Sequence, residues 1–376
     1  MPRGREAEQT RSGSSRRELI TQYGRIADLR VPKLRKGNGA LEWQTISRYE
    51  RCWGPFLDQQ VMPYCLGLSL RDLQESMYTT LGEGWSVASC HRIVASVGQR
   101  AEAFKTQPLE VPPPMILVDG MWVKIAYPNG ERRVESQGRR RAVKRKQKRV
   151  MLSALGVWPD GHWEIVPWQI AQGENEQTWK TFFGQLSAKG LTEETTQLVV
   201  SDGAPGLETA LDDHCYGVPH QRCIFHKIKQ IADHLLYGDL AVNGEAGDDQ
   251  AKRQAKTARK KAILADASAI YDHKTEEDRR TQAEGFRETW QEREPKSVAN
   301  FVTDFDQTFV YLRVDFPETL GVLIRTTNRL ERFHKEMRRK QRDIGMFQSE
   351  EGCEAIWYLI ATRETAKQQA APRLRT

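Results

Sequence analysis

The sequence predicts an α/β domain that is interrupted by a helical insertion and preceded by a helical region. Three observations support this fold class. Residues 115–201 contain short apolar runs, rich in β-branched residues and separated by turn signals. Two of these runs end in an aspartate, Asp119 and Asp202. Residues 231–317 are polar and have helical rather than strand patterning.

Length and composition indicate a chain of two or three domains. Its 376 residues exceed one ordinary domain, and 39% apolar residues suffice for a sizeable core. No apolar stretch approaches the ~18 residues of a membrane span, and the N-terminal residues hold no apolar signal core. We therefore expect neither a membrane partner nor secretion. The six cysteines are scattered, which favours a reducing cytosol over a disulfide framework.

Positive charge is concentrated in two segments. Residues 131–150 carry a local charge of +8 and residues 325–342 one of +6, so subtracting both from the net +7 leaves −7 elsewhere. Solvated charged faces are the usual meaning of such runs. Two basic patches on an otherwise acidic chain, each near candidate carboxylates, instead favour a localised nucleic-acid site.

The N-terminal part is predicted to be an arm followed by helices. Residues 1–40 form a basic, partly disordered arm, in which residues 1–18 are polar and charged. Residues 41–110 are predicted to be helical. One helix places Leu70, Leu73 and Met77 on one face, and a second, capped by Ser86, runs from Val87 to Val97 with Val87, Cys90 and Val94 as its apolar stripe.

The glycines between these two helices allow two interpretations. A helix-turn-helix would place its second helix in the major groove, with Ser89, His91 and Arg92 facing the bases. A plain helical hairpin packed on the next domain fits the same pattern equally well.

The α/β domain begins after Pro112-Pro113-Pro114, a stiff linker. A turn at Gly120 and the turn signal at 128–130 are expected to separate early strands. The hairpin turn at 159–161 joins two later ones. The expected elements are strands 115–119, 122–126, 150–157 and 163–168, an amphipathic helix 175–188 carrying Trp179 as a core residue, strand 197–201, and a helix starting at Gly206. Antiparallel strands followed by helix, strand and helix are the order of a ribonuclease H-like sheet.

The rest of the chain completes this domain plan. The α/β domain comprises residues 111–230 and 318–365, and residues 231–317 form the helical insertion between them. Asn243 to Asp249 is expected to be an exposed loop, and residues 366–376 a tail.

Asp119 and Asp202 are candidate metal ligands because each ends a strand-like run. Carboxylates at the ends of neighbouring strands can lie close together, where they repel one another unless a cation is bound. Mg²⁺ prefers a few carboxylates together with water and phosphate oxygens. Each aspartate also precedes a glycine, however, and Asp-Gly is a common turn pair.

Glu331 lies in the second basic segment and also has two interpretations. It could be the capping-box partner of Asn328, which requires no catalysis. On a helix, however, it shares one face with Lys335, Arg338 and Arg342, as suits a metal ligand beside a DNA backbone.

Five potential zinc ligands occur within thirteen residues. Their spacing matches no standard zinc module, so a structural zinc is not expected. They are His214, Cys215, His220, Cys223 and His226.

Three motifs, in this order and spacing, resemble the mutator-type DDE transposases of bacterial insertion sequences. They are VSDGAPGLETAL, HQRCIFHKIKQI and TTNRLERFHKEMRRKQRDIGMFQSEE, and the last is the most specific. YGRIADLRVPKLRKG and MILVDGMWVKI resemble the N-terminal half of that family. The resemblance covers most of residues 22–365.

The resemblance implies that Asp119, Asp202 and Glu331 form the catalytic, metal-binding triad with Mg²⁺, or Mn²⁺ as an alternative. It also identifies Cys223 and His226 as a Cys-x-x-His motif of uncertain role, for which packing or active-site shaping is favoured. The expected partner is double-stranded DNA, both element ends and target, bound by a homodimer or larger assembly in a prokaryotic cytoplasm at the nucleoid. The expected DNA-binding residues are Lys335, Arg338, Arg339, Arg342, Arg139, Arg140, Arg141, Lys144, Arg145 and Arg92.

The chain departs from the family pattern at a few positions. Gln348 replaces a frequent proline, His334 a frequent asparagine, and the segment 131–149 is unusually basic. Two other functions remain open on the residues alone: a structure-selective nuclease of the same fold, and a catalytically silent DNA-binding regulator. Metal-dependent nicking and strand transfer separate the three.

Overall fold

The computed structural model describes residues 11–21, 24–34, 63, 68–81, 86–134, 140–214, 217–238 and 249–370. Its strands are β1 (Arg11–Thr21), β2 (Gly24–Leu34), β3 (Met115–Val134), β4 (Arg140–Val157), β5 (Trp163–Ala171), β6 (Leu198–Ser201) and β7 (His220–Arg222). Its α-helices are α1 (Leu70–Leu81), α2 (Val87–Thr106), α3 (Glu176–Ala188), α4 (Pro205–His214), α5 (Ile224–Asp233), α6 (Asp249–Ala269), α7 (Glu276–Trp290), α8 (Pro295–Val302), α9 (Gly321–Ile324), α10 (Asn328–Ile344) and α11 (Glu350–Ala370).

A mixed five-stranded sheet forms the centre of the fold, in the order β5-β4-β3-β6-β7. The first three strands are antiparallel, whereas β6 and β7 run parallel to β3. This sheet confirms the α/β class that the sequence predicts.

Helices cover both faces of the sheet, because alternate residues of the central strands point to opposite sides. Met115 and Leu117 pack in a core with α10 and α11, while Ile116 and Val118 pack with α3 and α4. Trp179 of α3 is fully buried in the second core, as expected. Asn175 caps α3 by accepting a hydrogen bond from the Thr178 amide.

The first two expected strands are one strand, so the predicted turn at Gly120 is wrong. Asp119 and Gly120 stay in the ladder, opposite Ser153 and Leu152 of β4. The backbone bends only at the turn signal 128–130, where the register shifts between Pro128 and Arg132 and Gly130 has a φ of +85°. An Asp-Gly pair can adopt extended backbone, and the β4 hydrogen bonds hold it there.

The basic segment is a two-stranded ribbon rather than a loop. Strand β4 begins at Arg140, ten residues before the expected Val150, and pairs with β3 as far as Val134. Basic side chains are compatible with this ribbon because most of them are exposed at its surface.

Two further differences lie N-terminal to the sheet. Residues 11–21 and 24–34 form two antiparallel strands, so the expected disorder is wrong for residues 11–18, since Leu19 and Val31 are buried and the two strands satisfy each other's backbone. Helix α2 continues to Thr106 rather than ending near Val97. It does so because Val97 and Ala101 are buried and Lys105 reaches Glu354 of α11 at 2.7 Å.

Leu73 and Met77 of α1 are fully buried, as their spacing predicts. The side chains of Val87, Cys90, Val94, Ser89, His91 and Arg92 lie outside the described part of the chain, as do the backbones of residues 1–10 and 371–376.

Residues 249–324 are helical, and they have their own aromatic core of Tyr271, Phe286, Phe301, Phe305 and Phe309. Most of the loop expected between Asn243 and Asp249 lies outside the described residues, and α6 begins at Asp249. None of the described helices combines the length and apolarity that crossing a membrane requires.

Candidate active site

Asp119 and Asp202 meet at one edge of the sheet because β3 and β6 are parallel neighbours. Leu117 pairs with Val200, and each aspartate follows its partner residue by two positions. The third parallel strand, β7, ends at the same edge, where Arg222 pairs with Ser201 and Cys223 begins the next turn. Strands β6 and β7 therefore end beside the point of β3 at which Asp119 lies, which brings the two aspartates to one place, as expected.

Asp119 is nearly buried, with 8% of its surface exposed. Its Oδ1 accepts a hydrogen bond from the Gly120 amide at 2.8 Å. His334, which is fully buried, lies with Nδ1 3.4 Å from Asp119 Oδ2, outside hydrogen-bond geometry, while its Nε2 is 3.0 Å from Ser153 Oγ. His334 and Ser153 thus fix the surroundings of this carboxylate from α10 and β4.

Asp202 sits in a tight turn that requires the following glycine. Gly203 has a φ of +78°, and a Cβ there would lie 2.2 Å from Arg222 Nε. Asp202 Oδ1 accepts from the Ala204 amide at 3.1 Å. Asp202 therefore belongs both to an Asp-Gly turn and to the candidate site. Burial first, and then the nearby charge of Asp119, raise the pKa of Asp202, which indicates two carboxyl groups sharing one pocket.

Glu331 reaches this edge from α10 and does not cap its own helix. The N-cap residue of α10 is Thr327 rather than Asn328, and its side chain makes no capping hydrogen bond. The capping-box alternative is therefore wrong. Glu331 Oε1 lies 3.1 Å from Nε2 of His226 in the first turn of α5. The negative charges of Asp119 and Asp202 also act on the imidazole of His226. Glu331 is therefore in contact with His226, and the charges of Asp119 and Asp202 act on the same histidine.

The Cys-x-x-His motif connects β7 to the start of α10. Cys223 Sγ accepts from the amide and hydroxyl of Thr327 at 3.3 and 3.4 Å, and His226 Nδ1 lies 3.4 Å from the same hydroxyl. Although burial opposes protonation, contact with Cys223 and the charges of Asp119 and Asp202 raise the pKa of His226 to about 9. A protonated His226 can hold Glu331 towards the sheet edge.

Glu174 is a further acid that the sequence reasoning did not identify. It immediately precedes the capping residue of α3, and its carboxylate lies beside Gly120, 3.2 Å from where a Cβ would stand. Much of its side chain is exposed to solvent. Partial desolvation of the carboxyl, and then the charges of Asp202 and Asp119, raise its pKa to about 7. Its sequence context, Gly-Glu-Asn, resembles any polar loop, so no local signal could have marked it.

Glu174 predicts a pH dependence of stability in the absence of divalent metal. The folded-state pKa of Glu174 is about 7, above the ordinary 4.5. Its contribution to the free energy of unfolding is therefore fully present below pH ~4.5 and is lost as the pH rises through 7. Glu174→Gln should therefore gain stability relative to the parent as the pH rises from 5 to 8 in EDTA. Urea unfolding at several pH values measures this. Glu176 is exposed in the first turn of α3, so Glu176→Gln should keep the parental slope of unfolding free energy against pH. Equal slopes in all three proteins would contradict the prediction.

The expected DNA-binding cations lie on two surfaces. Lys335, Arg338 and Arg342 are exposed on α10, opposite its buried face, and Arg339 is exposed but pairs with Glu336 at 3.0 Å. Arg140, Lys144 and Arg145 are exposed on the ribbon, and Lys144 Nζ donates to the Gln348 carbonyl at 2.6 Å. Arg139 and the side chains of Arg141 and Arg92 lie outside the described residues.

The five potential zinc ligands do not converge, as far as the structure describes them. His220 Nε2 lies 2.7 Å from Ser201 Oγ, whereas Cys223 and His226 contact Thr327. Cys215 and the side chain of His214 lie outside the described part. In the described ranges, no three His, Cys, Asp or Glu side chains are grouped closely enough to hold a metal ion. Glu331 is instead paired with His226.

Known proteins match this chain along most of its length. A family model described as transposase, Mutator family, matches residues 2–242 and 250–370. The transposase for insertion sequence element ISRM5 of Rhizobium meliloti is 26% identical over 343 residues, which cover 91% of this chain and 76% of that protein. The transposase for IS905 of Lactococcus lactis is 24% identical over 355 residues, covering 94% and 79%.

One solved structure is also similar. The Drosophila P element transposase strand transfer complex aligns with a TM-score of 0.45 and 12% identity, covering 81% of this chain and 91% of that one.

Proposed function

The chain belongs to the Mutator family of transposases, and we propose that it cuts and joins the DNA of an insertion sequence at the sheet edge that holds Asp119, Asp202 and Glu331. The observation that carries this proposal is that the parallel pairing of β3 and β6 brings Asp119 and Asp202 to one part of the sheet, while Glu331 of α10 contacts His226, on which the charges of both aspartates act. The sheet order, with the first acid on the central strand and the second on its parallel neighbour, supports a ribonuclease H-like domain with residues 231–317 as its helical insertion.

The carboxylate set suits hard divalent cations. Mg²⁺ and Mn²⁺ prefer carboxylate oxygens. Burial, and then repulsion by Asp119, raise the pKa of Asp202, and a bound cation would offset this excess of negative charge. Asp119, Asp202 and Glu331 would hold the metal, with Glu174 beside them. When bound, the metal supplies activation of the attacking oxygen and stabilisation of the leaving one.

The other residues of the site position these ligands. His226 holds the carboxylate of Glu331, and Cys223 fixes the N-terminus of α10 through Thr327. His334 and Ser153 flank Asp119 from the opposite side. Outer partners of this kind orient metal ligands and restrict their motion.

DNA would approach along the two basic surfaces. The exposed cations of α10 begin one turn after Glu331, so they can bind backbone phosphates beside the reacting one. The ribbon of β3 and β4 provides a second basic surface, and the helical N-terminal region would bind the element ends. A homodimer or larger assembly would bring two ends together.

A strand-transfer assay tests the proposed function. With Mg²⁺, the purified chain should nick duplex DNA carrying the element end and then join the freed 3′ end to a plasmid target. Electrophoresis resolves nicked from joined products, and EDTA should abolish both. Nicking without joined products would favour the structure-selective nuclease, and DNA binding without metal-dependent nicking would favour the regulator.

A further inference from the structure

A cavity of about 610 Å³ opens beside the candidate active site, between the turn after β6 and helices α5 and α8. Asp202 forms part of its wall, so the cavity is continuous with the carboxylate edge of the sheet. Three cations line it, Arg222, Lys227 and Lys296, against the single carboxylate of Asp202. Its size falls within the range of ordinary small-ligand sites, roughly 300–1,000 Å³.

The three cations differ in how many hydrogen bonds and ion pairs they make within the protein. Arg222 pairs with Asp304 at 2.9 Å and donates to the Gly203 carbonyl at 3.2 Å, so its role is structural. Lys296 is exposed at the start of α8 and has no ion-pair partner within 4 Å among the described residues. The two lysines are therefore the cations available to a ligand.

Lys227 is the more informative of the two because it is buried, with 3% of its surface exposed. Its Nζ donates to the carbonyls of Asn300 and Thr303 at the end of α8, which accounts for two of its three N–H groups. The third has no partner within the described residues, and no carboxylate lies within ion-pair distance of it there. Burial, and then the charge of Arg222, lower the pKa of this ammonium to about 8.

A buried cation beside an open cavity, with no carboxylate within ion-pair distance in the described part of the chain, favours the binding of an anion there, since an unpaired buried charge is costly. We propose that Lys227 and Lys296 form a phosphate subsite for the DNA strand that leaves the active site past Asp202. The strand would place the backbone phosphate next to the reacting one in this cavity. This inference rests on the proposed function, because it requires that DNA is cut at the neighbouring carboxylates.

Single-phosphate neutralisation tests the subsite. A set of element-end duplexes would each carry a single methylphosphonate, placed in turn at one of the three phosphates on either side of the cleavage point. The binding of each duplex to the full chain would be measured in EDTA. One position should weaken binding by the parent about tenfold to a hundredfold, as the loss of one charged hydrogen-bonded contact predicts. Lys296→Ala should bind the unmodified duplex correspondingly less tightly and show no further loss with that methylphosphonate. Its slope of log affinity against log salt should fall by about 0.9.

Lys274→Ala is the matched control. Lys274 is an exposed lysine of the same helical segment, paired only loosely with Glu318 at 3.8 Å, and it does not line the cavity. This variant should keep the parental methylphosphonate penalty. Lys227→Met is a second test variant. Its loss of affinity on methylphosphonate substitution should also vanish, and urea unfolding should show that the protein still folds.

The outcomes are distinct for the two proposals. If every methylphosphonate weakens the parent, Lys296→Ala and Lys274→Ala equally, the subsite is wrong although cleavage at the triad stands. If Lys227→Met only lowers the unfolding midpoint and keeps the penalty, Lys227 merely caps α8 and the subsite is wrong. If the parent neither binds nor nicks element-end DNA, the proposed function fails and the subsite fails with it.

Discussion

Asp202→Asn is expected to abolish strand cleavage while leaving the fold and DNA binding intact. The asparagine Oδ1 can still accept the hydrogen bond from the Ala204 amide that Asp202 accepts at 3.1 Å. Burial, and then the charge of Asp119, raise the pKa of Asp202. The neutral asparagine relieves both effects, so stability in EDTA should be equal or higher. Without this ligand charge, nicking in Mg²⁺ should fall on the order of 10³-fold or more.

Nicking of a labelled element-end duplex and a gel-shift titration measure the two properties separately. Asp212→Asn, an exposed substitution on α4, serves as the control and should nick at the parental rate. Parental nicking by Asp202→Asn would show that the reaction does not use this carboxylate.

His226→Ala is expected to give the second largest loss, because it removes the group that holds Glu331. His226 Nε2 lies 3.1 Å from Glu331 Oε1, and within the described residues no other hydrogen bond or ion pair holds this carboxylate. Partners that orient a metal ligand typically contribute 10- to 100-fold, so nicking should fall by about that factor. The Mg²⁺ concentration for half-maximal rate should rise, since Glu331 is no longer pre-positioned.

A purely structural role for His226 would give a different pattern. It would lower the urea midpoint without changing the Mg²⁺ dependence of the remaining activity. His226→Gln, which keeps a hydrogen-bond donor for Glu331, should recover part of the rate. His162→Ala, at a half-exposed histidine near Glu164, is the control and should leave both the rate and the Mg²⁺ dependence unchanged.

The sequence was sufficient to predict the parts of the site that have local signals. A β-rich run ending in Asp119 and another ending in Asp202 predict two strands, and the parallel pairing of these strands brings the aspartates together, although β3 continues past Asp119. The α3 helix was likewise predictable, because Asn175 and the spacing of Trp179, Phe182, Phe183 and Leu186 mark its start and its buried face.

The remaining features depend on contacts between distant residues. The continuity of β3 through Gly120 is set by its pairing with β4, which overrides the local turn preference of Asp-Gly. Glu174 joins the site only because α3 packs against the sheet, and the pairing of His226 with Glu331 connects residues 105 positions apart. Neither has a pattern in the local sequence.

Anomalous diffraction from crystals of the full chain soaked in Mn²⁺ tests the central claim most directly, because manganese reports its own position. We expect a peak beside Asp119 of β3 and the carboxyl end of β6, at bonding distance from oxygens of Asp119, Asp202 and Glu331. A peak elsewhere, or none while Glu331 remains paired with His226 at saturating Mn²⁺, would contradict a shared metal site built from these three acids.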